Sequence, residues 1–124
     1  MTVPTPLVRY RDRVDSQPCP YGEVTRVVTG GDGGIANVHV VKVTKGGRHY
    51  HEAYAETYYV LGGTGSIRLG DEEHALRPGA VVVIPPGLPH DLEADEGSEL
   101  EFIIFGTPAM PIDDERAKPR KPGS

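Results

Sequence analysis

The chain has 124 residues, 13 Lys and Arg against 18 Asp and Glu for a formal net charge of -5, and is rich in turn formers, with 16 Gly and 12 Pro. That length fits one domain with a modest core, an acidic balance without a basic stripe argues against a nucleic-acid partner, and the single cysteine, Cys19, excludes an intrachain disulfide. No run is apolar and long enough to span a membrane, and the first residues lack the apolar centre of a signal peptide, so the chain reads as cytoplasmic with no membrane partner.

Residues 1–20 carry Pro4, Pro6, Pro18 and Pro20. They read as an irregular arm, with an edge strand expected around Leu7–Arg11. Glu23–Thr29 reads as a strand, and the glycines of 30–34 as a turn that admits positive φ. Ile35–Thr44 alternates and is rich in valine, which predicts a longer strand. Lys45-Gly46-Gly47 is expected to turn the chain, and His49–His51 to open the next strand. Glu56–Leu61 is dense in β formers. Gly62-Gly63-Thr64-Gly65 permits a sharp bend. Ser66–Leu69 and Glu73–Leu76 flank Gly70-Asp71, a hairpin signal. Ala80–Ile84 is a continuous apolar run and reads as a fully buried strand. His90–Glu93 and Leu100–Phe105 complete the set, so the barrel-forming region is expected over 21–107. From 108 to 124 prolines and charges predominate, and a mobile tail is expected. Short strands with turns at close intervals predict an all-β sandwich or small barrel.

Within this pattern three imidazoles and one carboxylate stand out. His49 and His51 share a face if they lie on one strand. Glu56 has the wrong parity for that face, so a turn or bulge near Glu52–Ala55, with Ala53-Tyr54-Ala55 at its tip, has to reset the register. His90 follows Pro85-Pro86-Gly87-Leu88-Pro89, a segment too rich in proline for a ladder strand. Its use would be to aim His90 inward from a loop. Neutral imidazoles with an ionised carboxylate suit one divalent Fe, Mn, Ni, Cu or Zn ion. Four protein ligands in an octahedron leave two positions for water or substrate.

These residues resemble the cupin superfamily in its small single-barrel form. The family's first motif runs from His-x-His through Glu to Gly, and here His49-Tyr50-His51 is followed after four residues by Glu56 and after six more by Gly63. Its second motif is matched by Gly79, five residues on by Pro85-Pro86-Gly87, and two residues on by His90. The family's opening glycine is Val43 here, and its closing Asn is Ala94; neither position is a ligand. The resemblance covers about residues 36 to 105. It implies a single jelly-roll barrel (a double-stranded β-helix) with a metal held by His49, His51, Glu56 and His90.

Other residues carry weaker expectations. Tyr58 shares the face of Glu56 and is the candidate catalytic group, as a proton donor or a guide for a substrate oxygen. Tyr54 is expected to be exposed in a turn, the alternative being a place over the mouth of the site as an acid or base, and Tyr59 is expected to face away from the metal. Arg68 is expected to point outward while Ile67 and Leu69 fill the core. His39 reads as a core or solvent-facing histidine and His74 as solvated. Phe102 and Ile104 form one face of the last strand and Ile103 and Phe105 the other, so both faces call for cover. Relatives of this form gain it by pairing sheet to sheet, which implies a homodimer. The expected function is a metal-dependent enzyme on a small organic substrate, with dioxygenation ahead of Lewis-acid isomerisation, cyclisation or elimination. The alternatives are a binding or sensing module without turnover, and a metal-free sugar isomerase or epimerase.

Overall fold

A computed structural model describes residues 5–19 and 22–110. Ten strands follow one another: β1 (Gln17–Cys19), β2 (Gly22–Val28), β3 (Asn37–Val43), β4 (Lys45–His49), β5 (Ala55–Gly62), β6 (Gly65–Leu69), β7 (Glu72–Leu76), β8 (Val81–Ile84), β9 (His90–Ala94) and β10 (Leu100–Thr107). They form a six-stranded sheet in the order β1-β2-β3-β10-β5-β8 and a four-stranded sheet in the order β4-β9-β6-β7. The chain crosses from one sheet to the other after β3, β4, β5, β7, β8 and β9, which is the jelly-roll topology. No helix among the described residues is long and apolar enough to cross a membrane.

The core lies between the two sheets. Val41, Val43, Val60, Val82, Ile84, Leu100 and Phe102 from the larger sheet meet Ile67, Leu76 and Leu92 from the smaller one. Each fully buried aliphatic or aromatic side chain contributes about 1.5–3 kcal/mol relative to exposure. Alternation along β5 supplies the inner row Glu56, Tyr58, Val60 and the outer row Thr57, Tyr59, Leu61, as the sequence predicts.

Four local expectations are corrected. The edge strand of the N-terminal arm is β1, at Gln17–Cys19; the stretch 7–10 is irregular and leads into a 3-10 turn at Arg11–Arg13. Lys45-Gly46-Gly47 does not turn the chain but begins β4, which pairs with β9 through Lys45↔Glu93, Gly46↔Leu92 and His49↔His90. The register shifts between Gly46 and His49, as glycines inside a strand often allow. The shift turns His49 inward and Arg48 outward. β4 and β5 lie in different sheets, so residues 50–54 are a crossing loop rather than a hairpin tip. β8 is buried on one face only, with Val81 and Val83 61% and 64% exposed. An apolar run reports what a strand could bury, and the sheet decides how many faces are covered.

Of the expected tail, Met110 is tied to the body by its N–H donating to Asn37 Oδ1 at 3.2 Å and its carbonyl accepting from Gly30 N–H at 3.0 Å. The remainder, 111–124, lies outside the described residues, as do 1–4, Pro20 and Tyr21.

Candidate metal centre

The two motif loops are bound to each other. Gly87, at φ +84°, turns its N–H onto the carbonyl of His51 at 2.7 Å. The far end of the proline loop is pinned by Gly70 N–H donating to Pro89 O at 2.8 Å. His90 therefore leaves a loop held at both ends and enters β9 as the register partner of His49. Outside the sheet, on the faces opposite those two rings, Arg48 and Arg68 both donate to Asp91 Oδ2, at 3.2 and 2.9 Å. Arg48 also reaches Gly70 O at 2.9 Å. Arg68 points outward, as expected.

The structure brings His49, His51, Glu56 and His90 together, with one donor atom from each within 4.8 Å of the others. Glu56 Oε1 lies 3.3 Å from His51 Nε2 and 3.5 Å from His90 Nε2. Bonds of ~2.1 Å set at right angles place neighbouring donors ~3.0 Å apart, so the two Glu56 contacts are near that spacing and the wider pairs have to draw in for the cluster to close on one ion. His90 is 1% exposed, and its Nε2 is buried without a hydrogen-bond partner.

The tautomers agree with that use. His49 Nδ1 lies 2.8 Å from Gly47 O, and His90 Nδ1 lies 2.9 Å from Leu88 O. A carbonyl only accepts, so each Nδ1 carries a hydrogen, and it is Nε2 that faces the cluster and would offer its lone pair to a metal once deprotonated. The residues present fit a divalent transition metal.

Tyr58 is buried on the face of Glu56, as the alternation of β5 predicts. Its hydroxyl donates to Glu56 Oε1 at 3.3 Å. Its ring stacks on Phe102 with centroids 4.7 Å apart and meets His90 edge-on at 6.5 Å. Tyr54 overturns its expectation: it is 5% exposed and stacks on His51. The signal available in the sequence was its place two residues before Glu56, which a crossing loop brings over the site and a hairpin would not. His39 is buried on the inner face of β3, and His74 is exposed beside Glu72. Neither joins the cluster.

The charge states follow from the surroundings. Burial opposes ionisation of Glu56, yet attraction from the His51 and His90 rings beside it outweighs that cost and brings the carboxyl from 4.5 to about 2. For His49 burial acts first and pushes the imidazole below 6.5, with repulsion from His90 and His51 adding to it against the Gly47 hydrogen bond. Near neutrality the site thus holds an anionic carboxylate and a neutral His49. Both shifts make the folded, metal-free chain bind fewer protons than the unfolded one in acid, so stability falls as pH falls. The His49 contribution is complete above pH 6.5 and is lost below it; the Glu56 contribution is complete above pH 4.5 and is lost as pH drops through about 2. Urea unfolding of metal-free protein should therefore show a midpoint that declines from pH 6.5 downward. In His49→Gln the decline should begin lower, and an unchanged onset would contradict the assignment.

Known proteins agree with this architecture. A family profile for the cupin domain matches residues 37–106. An uncharacterised protein of Methanocaldococcus jannaschii is 30% identical over 66 residues, 53% of this chain and 53% of that one. The chain thus matches about half the length of that curated relative. Among solved structures, KdgF from Halomonas sp. is 26% identical over 86% of this chain and 97% of its own, with a TM-score of 0.72. A protein from Planctomyces limnophilus is 24% identical over 89% and 95%, with a TM-score of 0.74. The polyketide cyclase RemF from Streptomyces resistomycificus is 21% identical over 83% and 80%, with a TM-score of 0.70. The last two share the fold. With both motifs inside the matched span and their loops hydrogen-bonded around one His/Glu cluster, the chain belongs to the cupin domain family.

Proposed function

We propose that this cupin is a metal-dependent enzyme acting on a small organic molecule bound through oxygen. The observation that carries the reading is the pair of anchored imidazoles, which present Nε2 to a cluster completed by Glu56 and His51. His49, His51, Glu56 and His90 would hold one divalent Fe, Mn, Ni, Cu or Zn ion. Such an ion, when bound, supplies Lewis acidity toward a substrate oxygen or, as iron, the capacity to activate O₂. His90, Glu56 and Tyr58 are buried, while His49 and His51 keep partial exposure, which favours an approach from the His49 side. Tyr58 keeps a proton at its hydroxyl beside Glu56, and the Phe102 stack holds its ring in place. A group so placed suits proton transfer to or from a substrate. That favours isomerisation, cyclisation or elimination over dioxygenation, which needs no such donor.

Metal content after purification without chelator or added metal, followed by O₂ uptake with candidate substrates, tests this. Bound metal with turnover of carbonyl or sugar-like compounds in the absence of O₂ is the expected result. Iron with substrate-dependent O₂ uptake would move the reading to oxygenation, and metal without turnover to a binding module. In Tyr58→Phe, kcat should fall about a hundredfold while metal content stays at the wild-type level.

We also propose that a second copy covers the outer face of the six-stranded sheet. The N-terminal arm contacts β2 and the start of β10, with Ser16 Oγ 2.8 Å from Thr25 Oγ1 and Arg11 donating to Glu101 at 2.8 Å. Beyond it Ile103, Tyr59 and Val81 lie in register, beside Phe105, Thr57 and Val83. Tyr59 is 44% exposed and faces away from the cluster. The other sheet's outer face is instead laced with ion pairs: Arg48 and Arg68 with Asp91, and Lys45 with Glu93 at 3.7 Å. One face suits water and the other suits a twin, as an isologous contact requires. Sedimentation should give a dimer for the wild type and a monomer for Val83→Lys; a monomeric wild type would refute the pairing.

A further inference from the structure

Two of the three imidazoles owe their orientation to backbone carbonyls; the third does not. His51 lies past the end of β4 in the crossing loop, and its buried Nδ1 has no hydrogen-bond partner. What lies against its ring is Tyr54, stacked with centroids 4.7 Å apart and planes 30° from parallel. Tyr54 is held in turn by an absence. Gly106 of β10 is the register partner of both Glu56 and Asn37. A Cβ on Gly106 would stand 3.0 Å from Tyr54 Cε2 and 3.3 Å from Cδ2. The missing side chain makes a slot beside Glu56, and the tyrosine ring fills it.

We infer that Tyr54 is a positioning residue: its ring, seated on Gly106, fixes the plane of His51 in place of the hydrogen bond that the other two histidines have. The inference rests on the metal-binding reading above. His51 free to rotate about its side-chain torsions would pay ordering entropy each time an ion bound. A ring packed against it removes that cost beforehand, as the outer partners of metal-bound histidines do through hydrogen bonds. The contribution is that of the aromatic face, which Tyr54→Phe keeps.

Co(II) titration of the metal-free full-length chain, followed by visible absorbance and by chelator competition, tests this. Tyr54→Ala should bind Co(II) about 10- to 100-fold more weakly with an altered ligand-field band, whereas Tyr54→Phe should stay within about twofold of wild type with the native band. Gly106→Ala, which crowds the ring without removing an atom from it, should weaken binding in the same direction and keeps the test open if Tyr54→Ala does not fold. In a His51→Ala background the Tyr54→Ala substitution should cost nothing further. Wild-type affinity in Tyr54→Ala, equal losses in Tyr54→Ala and Tyr54→Phe, or an undiminished loss in the His51→Ala background would each overturn the inference. If the wild type itself fails to bind Co(II), the metal reading falls first, and the two failures are distinguishable.

Discussion

Replacing His90 with alanine lowers metal affinity by at least about a hundredfold, more than loss of an outer partner does, and destabilises the metal-free protein as well. Three losses coincide at this ring. Its Nε2 is a buried donor atom of the cluster, and its Nδ1–H satisfies Leu88 O at 2.9 Å. It is also one of the two imidazoles that keep the Glu56 carboxyl ionised in a buried site. Leaving a buried polar group without its partner costs about 1–3 kcal/mol. Metal analysis and urea unfolding of His90→Ala read the two effects separately. His90→Gln, which keeps bulk and hydrogen-bonding capacity, should recover much of the stability and little of the metal. Wild-type metal occupancy in either variant would remove the basis of the assigned site.

Gly63→Ala unfolds the protein or costs more than about 3 kcal/mol, because two penalties add. Gly63 has φ +82°, a conformation that costs an alanine about 1–2 kcal/mol. Its new Cβ would also collide with the carbonyl oxygen of Glu99 and stand 2.7 Å from the carbonyl carbon. That backbone leads into β10, the strand hydrogen-bonded to both β3 and β5 at the centre of the larger sheet, and it has no room to yield. Gly79 is the control. It too has positive φ, at +92°, but a methyl group there would meet nothing within 4 Å, so Gly79→Ala should cost only the backbone term. Chemical denaturation of both variants reads the difference, and equal losses would show that the close approach at Gly63 is not what demands a glycine there.

Much of this was legible in the chain. Alternation in β5 assigned Glu56 and Tyr58 to one face and Tyr59 to the other, because a side-chain period of two survives any arrangement of neighbouring strands. Gly70-Asp71 placed a hairpin, and its strands pair Gly65↔Leu76 through Leu69↔Glu72. Less legible was the path between His49 and Glu56. A single strand and hairpin bring the four residues of the cluster together by the wrong route: His49 turns inward through a register shift in β4, and His51 points in from a loop. Local pattern cannot distinguish a turn to the adjacent strand from a crossing to the opposite sheet, since both need only short, irregular backbone. Tyr54 was misplaced for that reason.

Residue types and spacings by themselves determined the family, the two faces of β5 and which four residues to look for as a cluster, because motif spacing and a two-residue period are properties of the chain read in order. Only the tertiary structure decided which ring nitrogens face the cluster, that Tyr54 backs His51 over Gly106, and which glycines stand against another backbone. Those outcomes depend on atoms far apart in sequence being brought within a few ångströms, and that proximity is set by how two sheets pack, not by any stretch of residues within one of them.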